Sequence, residues 1–164
     1  MQMVLPEYEL PMRLVKVGRS PFSSQEREEV FDPLRRRWVR LTPEEGVRQR
    51  LIRWLVDGCA YPAGRIAVET GIEVNVMKKR CDAVVYDEAT RPLVIVECKA
   101  PKVRITQDVF DQAAVYNSVL KVPYLLMSNG LTHFFCRVDK GNRKYVQFEA
   151  FPRYEELLSE LREI

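Results

Sequence analysis

Histidine is nearly absent, with His133 the only one in 164 residues. Sites built on paired histidines, such as His-Glu-x-x-His metallohydrolases, would need a second imidazole. Glycine is sparse as well: there are seven, with no Gly-x-Gly pair. The chain therefore carries no dinucleotide-binding fingerprint, and no Gly-x-x-x-x-Gly-Lys-Ser/Thr run to cradle a nucleoside triphosphate. Cys59, Cys81, Cys98 and Cys136 never form a Cys-x-x-Cys pair. That argues against a zinc knuckle and favours reduced packing residues, as expected in a reducing compartment. Long apolar runs are missing too; Leu93 to Val96 falls far short of the roughly 20 residues that span a bilayer. The first residues contain Glu7, Glu9 and two prolines but no basic head with an apolar run behind it, so no secretory signal is read there. The expectation is a cytoplasmic protein that makes no use of a membrane.

What is present is globular. Hydrophobic residues make up 46% and charged residues 30%, too apolar for a disordered tail and enough to build one core. Twenty-six basic against twenty-three acidic residues leave a net charge of +3, too little to imply a nucleic-acid partner from totals alone. Distribution is more informative. Arg35, Arg36, Arg37 and Arg40 surround Trp38, and Lys78, Lys79 and Arg80 lie just before Asp82. Such clusters can neutralise phosphates, or can simply be solvated stretches.

Residues 1–41 contain prolines at 6, 11, 21 and 33 and little sustained periodicity, so they read as an N-terminal arm anchored by Phe31 and Trp38. Residues 42–164 read as a single α/β domain. Thr42, Pro43 and Glu45 form a capping box, and Val47, Leu51, Trp54 and Leu55 recur behind it at helical spacing up to Gly58. Two strands follow, 65–76 and 80–87, joined by a basic turn. Leu93 to Val96 is apolar at every position, as in a strand covered on both faces, and is expected at the centre of the sheet. Residues 106–120 have helical spacing. Three short strands come next, at 124–127, 132–138 and 145–150, punctuated by Asn129-Gly130 and Gly141-Asn142, before a final helix over 154–161. The order is α-β-β-β-α-β-β-β-α, a mixed sheet flanked by helices.

Strand alternation puts Glu97 and Lys99 on one face, roughly 6.6 Å apart along the backbone. They stand where the most buried strand emerges, a usual place for sites in open α/β sheets. If the strand carrying Asp82 pairs with that strand, two carboxylates and a lysine converge. Paired carboxylates with water and phosphate oxygens suit Mg²⁺ or Mn²⁺, and a lysine beside them can position water or stabilise charge during phosphodiester hydrolysis.

Five blocks in order carry a resemblance: Thr42-Pro43-Glu44-Glu45-Gly46-Val47-Arg48-Gln49, Cys81-Asp82-Ala83-Val84-Val85, Val94-Ile95-Val96-Glu97-Cys98-Lys99-Ala100-Pro101, Asp111-Gln112-Ala113-Ala114-Val115-Tyr116 and Ser128-Asn129-Gly130. Together they resemble the PD-(D/E)xK nuclease superfamily, with a restriction-endonuclease-like fold. More closely, they are similar to the N-terminal nuclease domain of the type I restriction enzyme motor subunit and its small stand-alone relatives. Cys81 stands where the superfamily has proline. The resemblance implies a metal-dependent nuclease acting on DNA, with Asp82, Glu97 and Cys98 at the metal, Lys99 acting on the attacking water, and Glu45 contributing from the first helix. It implies Gln112 and Tyr116 lining the site. Glu45 also belongs to the capping box, and Glu44 is the alternative carboxylate. Arg35, Arg36 and Arg37, just upstream of the first helix, are expected to bind flanking phosphates. A separate targeting protein and a second copy of the chain are the other partners considered. A DNA-binding or assembly module that keeps the fold without cleaving is the alternative to the enzyme.

Overall fold

The computed structural model describes residues 3–18, 25–74, 77–138 and 145–163; the side chains of Val74, Met77, Val115, Tyr116, Ser118 and Val119 lie outside the description. Helix α1 (Pro43–Asp57) begins at Thr42, whose hydroxyl accepts the Glu45 N–H at 3.1 Å. It ends where the Gly58 N–H donates to the Trp54 carbonyl at 2.8 Å. Only half of the capping box forms, because the Glu45 carboxylate is committed to arginines. Val47, Leu51, Ile52 and Leu55 make the buried stripe of α1.

The main sheet holds β4 (Ile66–Val74), β5 (Met77–Tyr86), β6 (Pro92–Cys98), β7 (Tyr124–Ser128), β8 (His133–Val138) and β9 (Tyr145–Gln147), in that spatial order. Neighbours are antiparallel except β6 and β7, which run parallel and are joined through α2 (Gln107–Leu120). A parallel pair needs such a crossover, and here it carries α2 onto one face of the sheet. Phe110 and Ala114 of α2 pack with Val84, Ile95 and Leu125 on that face. On the other, Val47, Leu51 and Leu55 of α1 pack with Val94, Val96 and Leu126, and α3 (Tyr154–Arg162) adds Tyr154, Leu157 and Leu158. Both faces of β6 are thus covered, which is why its sequence does not alternate.

The basic stretch Lys78-Lys79-Arg80 is part of β5, not the turn the sequence suggests. The end of the first predicted strand at Val76 and the Gly141-Asn142 turn signal lie outside the described residues. The Asn129-Gly130 turn is formed: Asn129 Oδ1 accepts the N–H groups of Leu131 and Thr132, and Gly130 takes φ +88°.

Residues 12–40, read from sequence as an arm, contain a second sheet, β1 (Met12–Val17), β2 (Gln25–Asp32) and β3 (Arg37–Arg40), all antiparallel. Its strands hide in the sequence because charge pairs, not apolar alternation, stabilise them across the ladder; Arg13 meets Glu29 at 2.7 Å. Phe31 meets Trp38 edge to face at 5.6 Å, and Arg13 stacks over the Trp38 ring at 4.3 Å. Trp38 is therefore an anchor. Arg53 of α1 donates to the Glu9 carbonyl at 3.1 Å and lies over Tyr8, tying this segment to the helix.

All four cysteines are free and buried. Burial pushes the thiols of Cys59 and Cys81 up to about 11 and that of Cys136 to about 12. Among the described residues no helix is long and apolar enough to cross a membrane.

His133 packs against Phe151 at 5.3 Å and shares a 2.7 Å hydrogen bond with the Ser128 hydroxyl. Burial lowers its pKa below the ordinary 6.5. The unfolded chain therefore binds the extra proton first as pH falls. The His133 contribution to stability should be intact above pH 6.5 and decline below it, with a slope of at most about 1.4 kcal/mol per pH unit. Urea unfolding midpoints between pH 7.5 and 5 should fall less steeply in His133→Gln than in the parent.

Candidate active site

Strands β5 and β6 pair Val84 with Ile95 and Ala83 with Val96. One step further along this antiparallel register, Asp82 comes opposite Glu97. There a side chain takes over from the main chain: Asp82 Oδ2 accepts the Cys98 N–H at 2.7 Å. That bond fixes the carboxylate at the end of β6. On the other side, the Lys99 N–H donates to the Ser128 carbonyl at 2.8 Å, prolonging the alignment with β7 by one residue.

Asp82, Glu97 and Lys99 open onto one cavity of about 520 Å³, which Glu44 of α1 and Gln112 of α2 also line. The Lys99 ammonium makes no ion pair among the described residues. Each carboxylate instead faces a different cation. Asp82 Oδ1 lies 3.8 Å from Arg48 Nη1, and Glu97 Oε1 accepts a hydrogen bond from Lys79. Alongside runs a wider groove of about 940 Å³ that shares Glu44, Arg80 and Asp82 with the cavity; Arg37, Trp38 and Arg40 of β3, together with Lys102, form its outer wall.

The structure corrects several expectations. Glu45 is not an available acid. Its side chain is only 6% exposed, and its oxygens accept bonds from Arg35 at 2.5 Å and from Arg48 at 2.5 and 2.8 Å. Burial pushes its pKa up, but the two guanidinium groups more than reverse this and hold it below the usual carboxylate range. Glu44, exposed and one position earlier, is the α1 carboxylate on the cavity. Arg35 is also committed, to Asp32 at 2.5 Å, Glu45 at 2.5 Å and Glu69 at 3.1 Å. Arg36 sits at φ +53° in the β2–β3 connection and does not line the groove; exposed Arg37 does. The Cys98 thiol is on the opposite, buried face from Glu97, and burial raises its pKa well above the ordinary thiol value. The Tyr116 side chain lies outside the described residues.

Sequence reasoning assigned no site role to Arg48, Lys79 or Asn117, and left open whether Glu69 or Glu73 faces the site. Arg48 and Glu69 complete the ionic network around Glu45; Glu69, at φ +50°, breaks the β4–β5 ladder opposite Asp82. Lys79 enters the cavity, and buried Asn117 of α2 accepts its hydrogen bond at 3.0 Å. Asn117 could have been found as the one polar residue in the stripe Phe110, Ala114, Asn117, Leu120 of α2. Lys79 could not, since it looks like its solvated neighbours Lys78 and Arg80.

Among the described residues no three histidine, cysteine, aspartate or glutamate side chains converge closely enough to hold a metal by themselves. Asp82 and Glu97 offer two carboxylates to the cavity of about 520 Å³. That donor set fits a hard dication such as Mg²⁺, which keeps water and substrate oxygens as its remaining ligands.

A mixed sheet with one parallel pair, a crossover helix on one face, a preceding helix on the other, and acidic residues in the middle of β5 and at the end of β6 defines a restriction-endonuclease-like fold. The chain belongs to the family described as the type I restriction enzyme R protein N terminus (HSDR_N), which it matches over residues 43–152. The solved fragment of a putative HsdR subunit of a type I restriction enzyme from Vibrio vulnificus YJ016 has a similar fold, with a TM-score of 0.52 at 18% identity. The similarity covers 75% of this chain and 26% of that one. Comparison with the curated proteins finds no match. The family match begins at α1, so the N-terminal sheet lies outside it.

The separation of roles between adjacent glutamates is testable by substitution. Glu45→Ala leaves Arg35 and Arg48 short of their shared partner and should cost about 3 kcal/mol in chemical unfolding. Glu44→Ala, at an exposed position, should stay within about 0.5 kcal/mol of the parent.

Proposed function

We propose that this chain is a nuclease domain that uses Mg²⁺ or Mn²⁺ to hydrolyse DNA phosphodiester bonds. The observation that carries the reading is the opening of Asp82, Glu97 and Lys99 onto one cavity beside a basic groove. Asp82 and Glu97 would hold the dication. Bound there, it supplies Lewis acidity toward the phosphoryl group and lowers the pKa of water. The remaining work falls to the chain's own groups. Lys99 donates hydrogen bonds to a phosphoryl oxygen or orients the attacking water, stabilising negative charge as it grows. Gln112 positions the strand from the α2 side, and Glu44 from α1 is in place to receive a proton from water. Hydrolysis adds water across one P–O ester bond, yielding a phosphate monoester and a free hydroxyl.

Exposed Arg37, Arg40, Arg80 and Lys102 along the groove suit the flanking phosphates, in place of Arg35. One observation favours a second reading, a DNA-binding module that does not cleave: both carboxylates already face protein cations, Arg48 and Lys79. Nicking of supercoiled plasmid separates the two. With Mg²⁺ or Mn²⁺ the full chain should convert supercoiled plasmid to open circles, and Lys99→Ala should lower the rate about 10²-fold or more. Plasmid left intact by a folded, DNA-binding parent would support the module instead. In either case, replacing Arg37, Arg40 and Arg80 with alanine should flatten the salt dependence of duplex binding by about 0.9 in slope for each phosphate no longer neutralised. Arg35→Ala should not lower that slope.

A further inference from the structure

Lys79 lies on β5, half-buried, with its ammonium between Glu97 of β6 and Asn117 of α2. It is distinct from Lys99, which leaves β6 and makes no ion pair among the described residues. The Asn117 amide is fully buried, and its Nδ2 has no hydrogen-bond partner among the described residues, so its one polar contact there is as acceptor to Lys79. Burying an amide half-satisfied costs stability. What the arrangement provides is a second acceptor for a lysine already bonded to a carboxylate.

We propose that Lys79 is a built-in counter-ion of the metal site: it neutralises Glu97 in the metal-free protein, and a divalent cation must displace it to bind. This rests on the reading of Asp82 and Glu97 as metal ligands. The physical basis is competition for one carboxylate. A hydrogen-bonded ammonium and a dication cannot both take the same Glu97 oxygen, so metal affinity is reduced by the free energy of the Lys79–Glu97 contact. The side chain is about 15% exposed, as is that of Glu97, so solvent screens the pair less than a surface ion pair. Asn117 makes the exchange feasible, since a displaced ammonium keeps one acceptor. The displaced charge stays beside the cavity, which Lys79 lines. Lys79 is thus a positioning residue that couples metal entry to a second cation near the substrate.

The test is Mn²⁺ binding to the full chain, followed by calorimetry and by the electron paramagnetic resonance signal of free Mn²⁺. Lys79→Met keeps the length of the side chain and removes the charge; it should tighten Mn²⁺ binding about tenfold, the equivalent of 1.4 kcal/mol. Lys79→Arg keeps the charge and should stay within about twofold of the parent, a difference of only about 0.4 kcal/mol. In a Glu97→Gln background, Lys79→Met should produce no tightening, because the competed carboxylate is gone. If Lys79→Met unfolds, Lys79→Gln carries the same expectation, its amide still able to donate to Asn117. Mn²⁺ binding that is abolished by the Asp82→Ala, Glu97→Ala pair yet indifferent to Lys79→Met would overturn this inference and leave the metal reading standing. Binding that ignores Asp82 and Glu97 altogether would overturn both.

Discussion

Glu45 bonds two guanidinium groups at once, and the placement of the candidate site depends on that pairing. Arg35 comes from the connection between β2 and β3, and Arg48 from the next turn of α1; both also reach Glu69 on β4, and Arg48 extends to Asp82 on β5. One buried carboxylate thereby ties the N-terminal sheet, the first helix and the edge of the main sheet together. Because every charge in the cluster has an opposite within 4 Å, burial is tolerated; removing Glu45 leaves two buried guanidinium groups short of their shared partner. The network also orients Arg48 toward Asp82, so α1 and the middle of β5 are electrostatically coupled.

This arrangement explains which parts of the molecule could be read from the chain. Regular features were legible wherever apolar patterning and cap chemistry agreed. Thr42-Pro43 set the start of α1, the unbroken apolar run of β6 announced a doubly covered strand, and the stripe from Phe110 to Leu120 marked the crossover helix. The N-terminal sheet was not legible because β2 opens Gln-Glu-Arg-Glu-Glu, and the cross-strand partner of its Glu29, Arg13, lies far away in sequence. Neither period nor propensity registers such a strand.

At the site, residue types that alternate on a strand were placed correctly with respect to one another: Glu97 and Lys99 open onto the same cavity, and Asp82 opens onto it too. What the sequence left open was which charge takes which position. Glu44 and Glu45 are chemically identical neighbours, and only the positions of Arg35 and Arg48 decide that Glu45 is structural while Glu44 faces the cavity. The same holds for Lys78, Lys79 and Arg80, a uniform basic run in which strand alternation turns one ammonium inward. Long-range pairing, not local sequence, settles both cases.

The four buried thiols have a practical consequence of their own. Cys81 and Cys98 sit on β5 and β6 against the candidate site, Cys136 lies on β8, and Cys59 follows α1, so they sample both faces of the sheet. With burial holding each thiol protonated, a water-soluble alkylating reagent reaches them only through opening of the surrounding structure. Labelling rates resolved by position would therefore report how cooperatively the sheet opens, and whether the strands that carry Asp82 and Glu97 open separately from β8 or as one unit with it.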